Sequence, residues 1–251
     1  MKDISGLILL DKPKGITSFE AITKLKNLLN IQKVGHCGTL DPNATGLLLV
    51  VLGHATKVQY DLQKTNKVYL CSFILGLTSD TNDLSGIVTF KQSIKYINIE
   101  KLMNIFTKFE GDTLQLPPMY SAVKYHGKKL CDLARRNITV ARIPRPITIK
   151  KIELITYSLN TIYIRVSCSK GTYIRGLIRD IGHLYGCGAV VKDLRREKVG
   201  IFDVKNALTF KMFDNNINNL SKKNFIAYDV LMKYVSNLKS NPVKKIKEIE
   251  R

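Results

Sequence analysis

Gly35-His36-Cys37-Gly38-Thr39-Leu40-Asp41-Pro42-Asn43-Ala44-Thr45-Gly46 crowds three glycines, a proline and an asparagine into twelve residues. Punctuation of this density marks a loop. The apolar run Leu47 to Leu52 follows it, closed by Gly53, and reads as a buried strand. One carboxylate, Asp41, and one imidazole, His36, are thus placed on a tight loop leading into the core. Loops fixed by a rigid scaffold are where chemistry concentrates. A purely structural reading stays open at this level, because Asp41-Pro42 also fits a helix N-cap followed by proline at the first helical position.

On the N-terminal side, Ser5 to Leu10 reads as a second buried strand, and Asp11-Lys12-Pro13-Lys14-Gly15 as a chain reversal. Thr17-Ser18 offers a hydroxyl cap with Glu20 shortly after. Ala21, Ile22, Leu25, Leu28 and Leu29 then recur at helical spacing, predicting a helix from Ser18 to Leu29. Downstream, a helix is expected over Ala55 to Leu62 and a strand over Lys67 to Leu75, where Tyr69 has the pattern of an ordinary core aromatic. Thr78 to Gly86 is a polar loop without the fixed spacing or terminal Glu of a calcium-binding EF-hand. Ile99 to Phe109 is an amphipathic helix. Ile147 to Tyr157 and Thr161 to Cys168 read as a hairpin-like strand pair. A helix over Tyr173 to Tyr185 and a closing strand over Val190 to Val199 follow. Arg175 falls in the first turn of that helix, where a cation opposes the helix dipole and calls for a carboxylate or phosphate partner.

A chain of 251 residues holds one large domain or two small ones. No apolar run approaches the ~20 residues of a membrane span, and Met1 to Leu10 is too short for a secretory signal, so a cytoplasmic protein is expected. Five scattered cysteines with no C-x-x-C pair suggest neither a disulfide framework nor a metal site. No phosphate-loop or dinucleotide fingerprint is present, so no cofactor is expected. The formal net charge is +20, from 40 basic and 20 acidic residues, which points to a polyanionic partner. The charge is concentrated. Lys124, Lys128, Lys129, Arg135, Arg136, Arg142, Arg145, Lys150 and Lys151 stand against a single acid, Asp132. The run is rich in arginine, which matches phosphate bidentately, and reads as a nucleic-acid grip.

Taken in order, Leu10-Asp11-Lys12-Pro13-x-Gly15-x-Thr17-Ser18, GHCGTLDPNATGLL, Lys67-x-Tyr69, LPPMYSAVKYHGKKL with Leu133-Ala134-Arg135, SKGTYIRGLIRDIG and LRREKVG resemble the bacterial tRNA pseudouridine-55 synthase family from about Gly6 to Leu231. The resemblance implies an α+β fold of the pseudouridine-synthase type: a mixed, largely antiparallel sheet flanked by helices and loops. It implies isomerisation of uridine 55 in the tRNA T-loop, with tRNA as partner and neither metal nor cofactor. Asp41 takes the place of the catalytic aspartate, and His36 that of the histidine holding the flipped nucleotide. Tyr69 matches the tyrosine that stacks on the target base, and Arg175 the arginine that pairs with the aspartate. Tyr173 and Leu194 join the substrate pocket, and Lys12 and Pro13 support the loop. Residues 124–146, with Lys124, Lys128, Lys129, Arg135, Arg136, Arg142 and Arg145, become an insertion clamping the T-arm. Cys131 and Asn137 depart from the tyrosine and glycine common at those places. The expected organisation is a catalytic domain over 1–232 and a short basic tail over 233–251, without a complete C-terminal RNA-binding domain, in a monomer with no obligatory protein partner. Two readings compete: a tRNA-binding folding factor that needs no catalysis, and a relative working inside a guide-directed ribonucleoprotein.

Overall fold

The computed structural model describes residues 4–215 and 224–240. In chain order the elements are β1 (Gly6–Lys12), α1 (Ser18–Leu29), β2 (Val34–His36), β3 (Thr45–Leu52), α2 (Gln59–Gln63), β4 (Lys67–Leu75), β5 (Leu77–Ser79) and β6 (Val88–Phe90). Next come α3 (Ile99–Phe109), β7 (Gly111–Gln115), β8 (Lys124–Tyr125), β9 (Lys128–Lys129), α4 (Leu130–Ala134), β10 (Arg145–Ser158) and β11 (Thr161–Cys168). The chain closes with α5 (Ile174–Tyr185), β12 (Ala189–Val199), β13 (Phe202–Asp203), α6 (Phe210–Asn215), β14 (Phe225–Ala227) and α7 (Tyr228–Ser240). It divides into two compact units, one of residues 1–68 with 195–251 and the other of residues 69–194.

In the first unit β1 and β3 run antiparallel from Gly6 opposite Leu52 to Lys12 opposite Gly46. Both strands are almost wholly buried, which is why their sequences are continuous apolar runs rather than alternating ones. The other edge of β3 is shared. β2 pairs with its far end, His36 opposite Val50, and the second half of β12 runs parallel to its start, Arg195 opposite Thr45. Residues 37–44 therefore leave the sheet between two neighbouring strands. Helix α1 carries a full capping box between Thr17 and Glu20, which satisfies two otherwise orphaned backbone donors.

Two expectations change here. The helix expected over Ala55 to Leu62 is a 3-10 turn over Gly53–Val58 running into the short α2. The tail expected from residue 233 is helix through Ser240: Leu231, Tyr234 and Val235 pack into the core with Leu7, Leu9, Leu49 and Val51. Seven of its thirteen residues are apolar, and Leu231, Tyr234 and Val235 share its buried face, so burial rather than propensity forms the helix. The basic tail Asn241 to Arg251 lies outside the described residues.

In the second unit the first half of β12 is followed by β4, β11, β10 and β7. The β10–β11 hairpin is antiparallel, with irregularities between Ile149 and Lys151 and between Leu154 and Thr156. β7 pairs antiparallel with the start of β10. α3 packs against α5 and β10, burying Leu102, Ile105 and Phe106 on one side and Ile174, Leu177, Ile178 and Ile181 on the other. Of the registers named, only that of β3 with β12 is parallel, in keeping with the expected mixed, largely antiparallel α+β class.

Gly46, where the loop re-enters β3, has φ +101°, and a β-carbon there would lie 2.3 Å from the Arg196 carbonyl oxygen. Gly46→Ala therefore combines backbone strain with a clash against β12. It is expected to lower stability by roughly 2 kcal/mol or more, read as a lower urea midpoint at unchanged slope.

Candidate active site

No helix follows Asp41: the Ala44 N–H donates to the Asp41 carbonyl at 3.0 Å, closing a turn. The cap reading of Asp41-Pro42 therefore falls away. The loop is held from three sides, all within the first unit. Ser18, buried at the start of α1, accepts from the Leu40 N–H (2.8 Å) and donates to the Leu40 carbonyl (3.1 Å) through the same hydroxyl. Lys12, fully buried, donates Nζ to the carbonyls of Pro13 (2.8 Å), Ile16 (2.8 Å) and Pro42 (3.2 Å). It thereby ties the reversal after β1 to the residue next to Asp41. Arg196 is 1% exposed. Its Nε donates to the Leu47 carbonyl (2.8 Å), its Nη2 to Gly38 (3.0 Å) and its Nη1 to Thr39 (3.5 Å). Beside it, Arg195 makes a two-point ion pair with Asp11 at 3.0 and 2.7 Å.

Two buried cations alongside one another explain the local electrostatics. Lys12 is lowered to about 8, by burial first; the Asp41 charge opposes that shift and the Arg196 charge adds to it. His36 is half-buried and sits below the ordinary imidazole range, through burial and then the Arg196 charge, against a hydrogen bond to the Gly38 backbone. A neutral imidazole at pH 7 suits packing against a base better than moving protons. Cys37, buried in the core, is pushed up to about 12 by burial, so it stays a thiol and serves as packing.

The second unit holds Tyr69, Tyr173, Arg175 and Leu194. Tyr69 is buried on β4, and Leu194 is half-buried on β12. Tyr173 precedes α5, and Gln115 fixes both its backbone groups: the N–H donates to Oε1 (2.8 Å) and the carbonyl accepts from Nε2 (3.0 Å). Arg175 is 5% exposed. Its Nη1 donates to the Thr81 carbonyl and its Nη2 to that of Tyr120, both at 2.7 Å, while Nε lies 3.7 Å from Asp83 Oδ2. The carboxylate expected near this helix start is present, on the loop after β5. Asp83 is itself held by Thr81 Oγ1 (2.7 Å), the Ser85 N–H (2.9 Å) and the Ser85 hydroxyl.

The basic run forms a small substructure. β8 and β9 make a two-residue hairpin in which His126 and Gly127 both take positive φ, the geometry whose twist matches the strands. α4 follows, with Leu130 and Leu133 buried. Asn137 has φ +57°, a conformation asparagine tolerates after a helix, so it fills the place of the more usual glycine. Lys124, Lys128, Lys129, Arg135, Arg136 and Arg145 are exposed. Arg142 is half-buried and donates to the Pro117 carbonyl at 2.9 Å.

Ser18, Arg196, Gln115 and Asp83 are the supporting residues that periodicity and spacing do not single out. Among the described residues no group of His, Cys, Asp and Glu is placed to hold a metal, and no helix is long and apolar enough to cross a membrane.

Residues 26–174 match the description "TruB family pseudouridylate synthase (N terminal domain)", and residues 175–238 match "tRNA pseudouridylate synthase B C-terminal domain". The chain belongs to the TruB family of pseudouridylate synthases. It is 56% identical to tRNA pseudouridine synthase B of Endomicrobium trichonymphae over 213 residues, 85% of this chain and 93% of that one. It is 40% identical to the protein of that name from Clostridium tetani over 231 residues, 92% of this chain and 79% of that one. Among solved structures it resembles a chain of a Cbf5–Nop10–Gar1 complex, with TM-score 0.69 and 30% identity over 88% of this chain. It spans 60% of that structure's chain. A second similar structure, at TM-score 0.66 and 27% identity over 88% of this chain and 59% of the other, is an H/ACA RNP bound to a substrate RNA containing 2′-deoxyuridine. As a TruB family member the protein is an isomerase of the pseudouridylate synthase class.

The lowered pKa of Lys12 has a testable sign. The unfolded chain holds this proton more tightly than the fold does, so the contribution of Lys12 to stability rises with pH from about 8 towards 10.5. The stability of the wild type minus that of Lys12→Met should increase across this window, by on the order of 3 kcal/mol. Urea unfolding of both proteins at stepped pH values checks it, and a flat difference contradicts it.

Proposed function

We propose that the protein converts uridine 55 in the T-loop of tRNA to pseudouridine, with Asp41 as its one essential carboxylate. The observation that carries this reading is Asp41 on a loop with its backbone fixed by Ser18, Lys12 and Arg196, in a chain of the TruB family. The reaction breaks the bond from the ribose carbon to N1 and makes one from the same carbon to C5. The C5 proton leaves and N1 gains one, so no atom or electron is left over. A uracil stacked inside a folded loop cannot be reached, and the nucleotide must be extruded.

Each residue then takes a role. Tyr69 stacks on the extruded base, an interaction worth ~1–3 kcal/mol. His36 packs where the base has left, as a neutral ring. Arg175 is the cation assigned to Asp41, while Asp83 and the Thr81 and Tyr120 carbonyls orient the guanidinium. Tyr173 and Leu194 complete the pocket. Residues 124–146 grip the T-arm, with Arg136 and Arg135 (the latter in an exposed ion pair with Asp132 at 3.6 Å) as phosphate contacts and Arg142 also anchoring the segment to Pro117. Identity of 56% with a tRNA pseudouridine synthase B, against 30% with the Cbf5 chain, favours tRNA itself as substrate over a guide-directed ribonucleoprotein. A cytoplasmic monomer fits this role.

Asp41→Asn is expected to abolish pseudouridine formation on an unmodified tRNA transcript, by at least about 10³-fold, or ~4 kcal/mol in barrier, while tRNA affinity and melting temperature stay near wild type. Nucleotide-resolution mapping of pseudouridine reads it. Residual turnover above a few per cent would refute Asp41 as the essential carboxylate. For the clamp, Arg135→Gln with Arg136→Gln should flatten the dependence of log affinity on log salt by roughly one to two units, measured by filter binding between low and physiological salt. An unchanged slope would remove these two residues from the RNA interface.

A further inference from the structure

A cavity of about 560 Å³ lies wholly within the unit of residues 69–194, a size in the range of small-ligand sites. Its walls come from the start of the β5 hairpin, the strand exit after β6, the outer side of α5 and the turn into β12. Ser79, Asn82, Lys91, Gln92, Arg179 and His183 line it, and no carboxylate does. The walls are tied together through the backbone: the Gly76 N–H donates to the Gly188 carbonyl (3.0 Å), and the Lys91 and Gln92 N–H groups both donate to the Gly76 carbonyl (2.9 and 3.3 Å). The cavity is thus built from paired main chain and does not depend on the placement of surface side chains.

Its charge is arranged for an anion. The Arg179 guanidinium is fixed by Asp180 (2.8 and 3.1 Å) and the Leu116 carbonyl (3.3 Å), which leaves Nη1 without a partner among the described residues. Lys91 and His183 likewise make no side-chain hydrogen bond or ion pair among the described residues. Arg142 extends the positive surface. It binds the Pro117 carbonyl next to the Leu116 carbonyl that Arg179 binds, and its Nε is buried without a partner. Arg142 is held below the ordinary guanidinium range by burial and then by the nearby Arg179 charge. Two guanidiniums anchored on consecutive carbonyls repel one another, and an anion between or beside them relieves that repulsion. The amide groups of Asn82 and Gln92 suit a ribose and a base edge better than an apolar ligand, and Ser79 Oγ, which donates to the Asp83 carbonyl at 2.6 Å, adds an acceptor.

We propose that this cavity is a second RNA contact, in which Lys91, Arg179 and His183 take a phosphodiester, and the Ser79, Asn82 and Gln92 side its ribose, from a part of the bound tRNA outside the target nucleotide. The proposal rests on the reading of the protein as a tRNA-modifying enzyme. The site shares a wall with the active-site scaffold. Ser79 and Asn82 flank Thr81, whose carbonyl holds Arg175, so an occupied cavity braces the loop that orients that arginine.

The test uses the full chain and an unmodified tRNA transcript. Lys91→Gln with His183→Gln, both at solvent-facing positions, should weaken tRNA binding roughly three- to tenfold at low salt and make the salt slope shallower by about one unit. The melting temperature should not move. A matched double variant, Lys57→Gln with Lys108→Gln, removes charge elsewhere and should cost markedly less affinity. Unchanged affinity and slope in the first variant overturns the proposal, as does an equal loss in both, which would mean bulk charge alone. Mapping pseudouridine with the parent protein separates the two readings. If the parent modifies the transcript and the cavity variant binds as well as the parent, only the cavity proposal falls. If the parent neither binds nor modifies it, both fall.

Discussion

The buried guanidinium of Arg196 is the constraint on which the loop carrying Asp41 depends. The loop leaves the sheet after β2 and returns at β3, and Arg196 reaches across it to the carbonyls of Gly38, Thr39 and Leu47. Backbone carbonyls buried without partners each cost about 1–3 kcal/mol, and a loop of this length cannot satisfy them internally. Arginine suits the position because its fork presents five donors in a fixed plane. A lysine offers a point charge and could not span both arms of the loop. With Lys12 also buried against loop carbonyls, two cations underlie a segment that carries one carboxylate. That surplus of positive charge, added to burial, favours a neutral His36.

The second unit solves the same problem in the same way. Arg175 is held by the Thr81 and Tyr120 carbonyls and faced by Asp83, and Gln115 pins the backbone of Tyr173 just before it. In both units polar side chains paired with main chain therefore fix key positions: Ser18, Lys12 and Arg196 around Asp41, and Gln115 and Arg175 at the start of α5. This preorganisation matters for catalysis, because a group already in place needs no rearrangement in the transition state. The clamp is built on the opposite principle. It rests on a two-residue hairpin and a five-residue helix anchored by Leu130 and Leu133, and most of its cations are exposed.

What the sequence made legible follows from the range of the forces involved. The bounds of α1 and α3 can be read because a cap and a 3.6-residue apolar stripe agree locally. β1 and β3 can be read because burial on both faces leaves an unbroken apolar run. The 3-10 turn before α2 was missed because its i→i+3 geometry is close to that of a helix start. α7 was missed because, past Val235, its apolar stripe is diluted by serine, asparagine and lysine. Of the site, Asp41, His36, Tyr69 and Arg175 were reachable only because several motifs stand together in one order. Arg196 stands within LRREKVG, yet nothing local says that it is buried: its partners lie some 150 residues earlier in the chain. The partner of Arg175 was foreseen in kind, from the dipole of α5, but the polar loop that supplies Asp83 gives no sign of it.

The isomerisation itself explains why rigidity is concentrated here. Between bond breaking and bond making, the base and the ribose are separate fragments, and the product forms only if both remain and the base turns once. A hydrolase gains from admitting water to such a site; an isomerase loses its product to it. The protein must therefore hold two fragments without the help of the bond that joined them, and any slack in the loop carrying Asp41 opens a path for water. Satisfying that loop from beneath, through Ser18, Lys12 and Arg196, leaves its upper surface free of structural duties and available to the nucleotide. The exposed cations of residues 124–146 are proposed to take the RNA by its phosphates, which the reaction does not alter, and so to leave the chemistry of the base to a small set of residues that hold still.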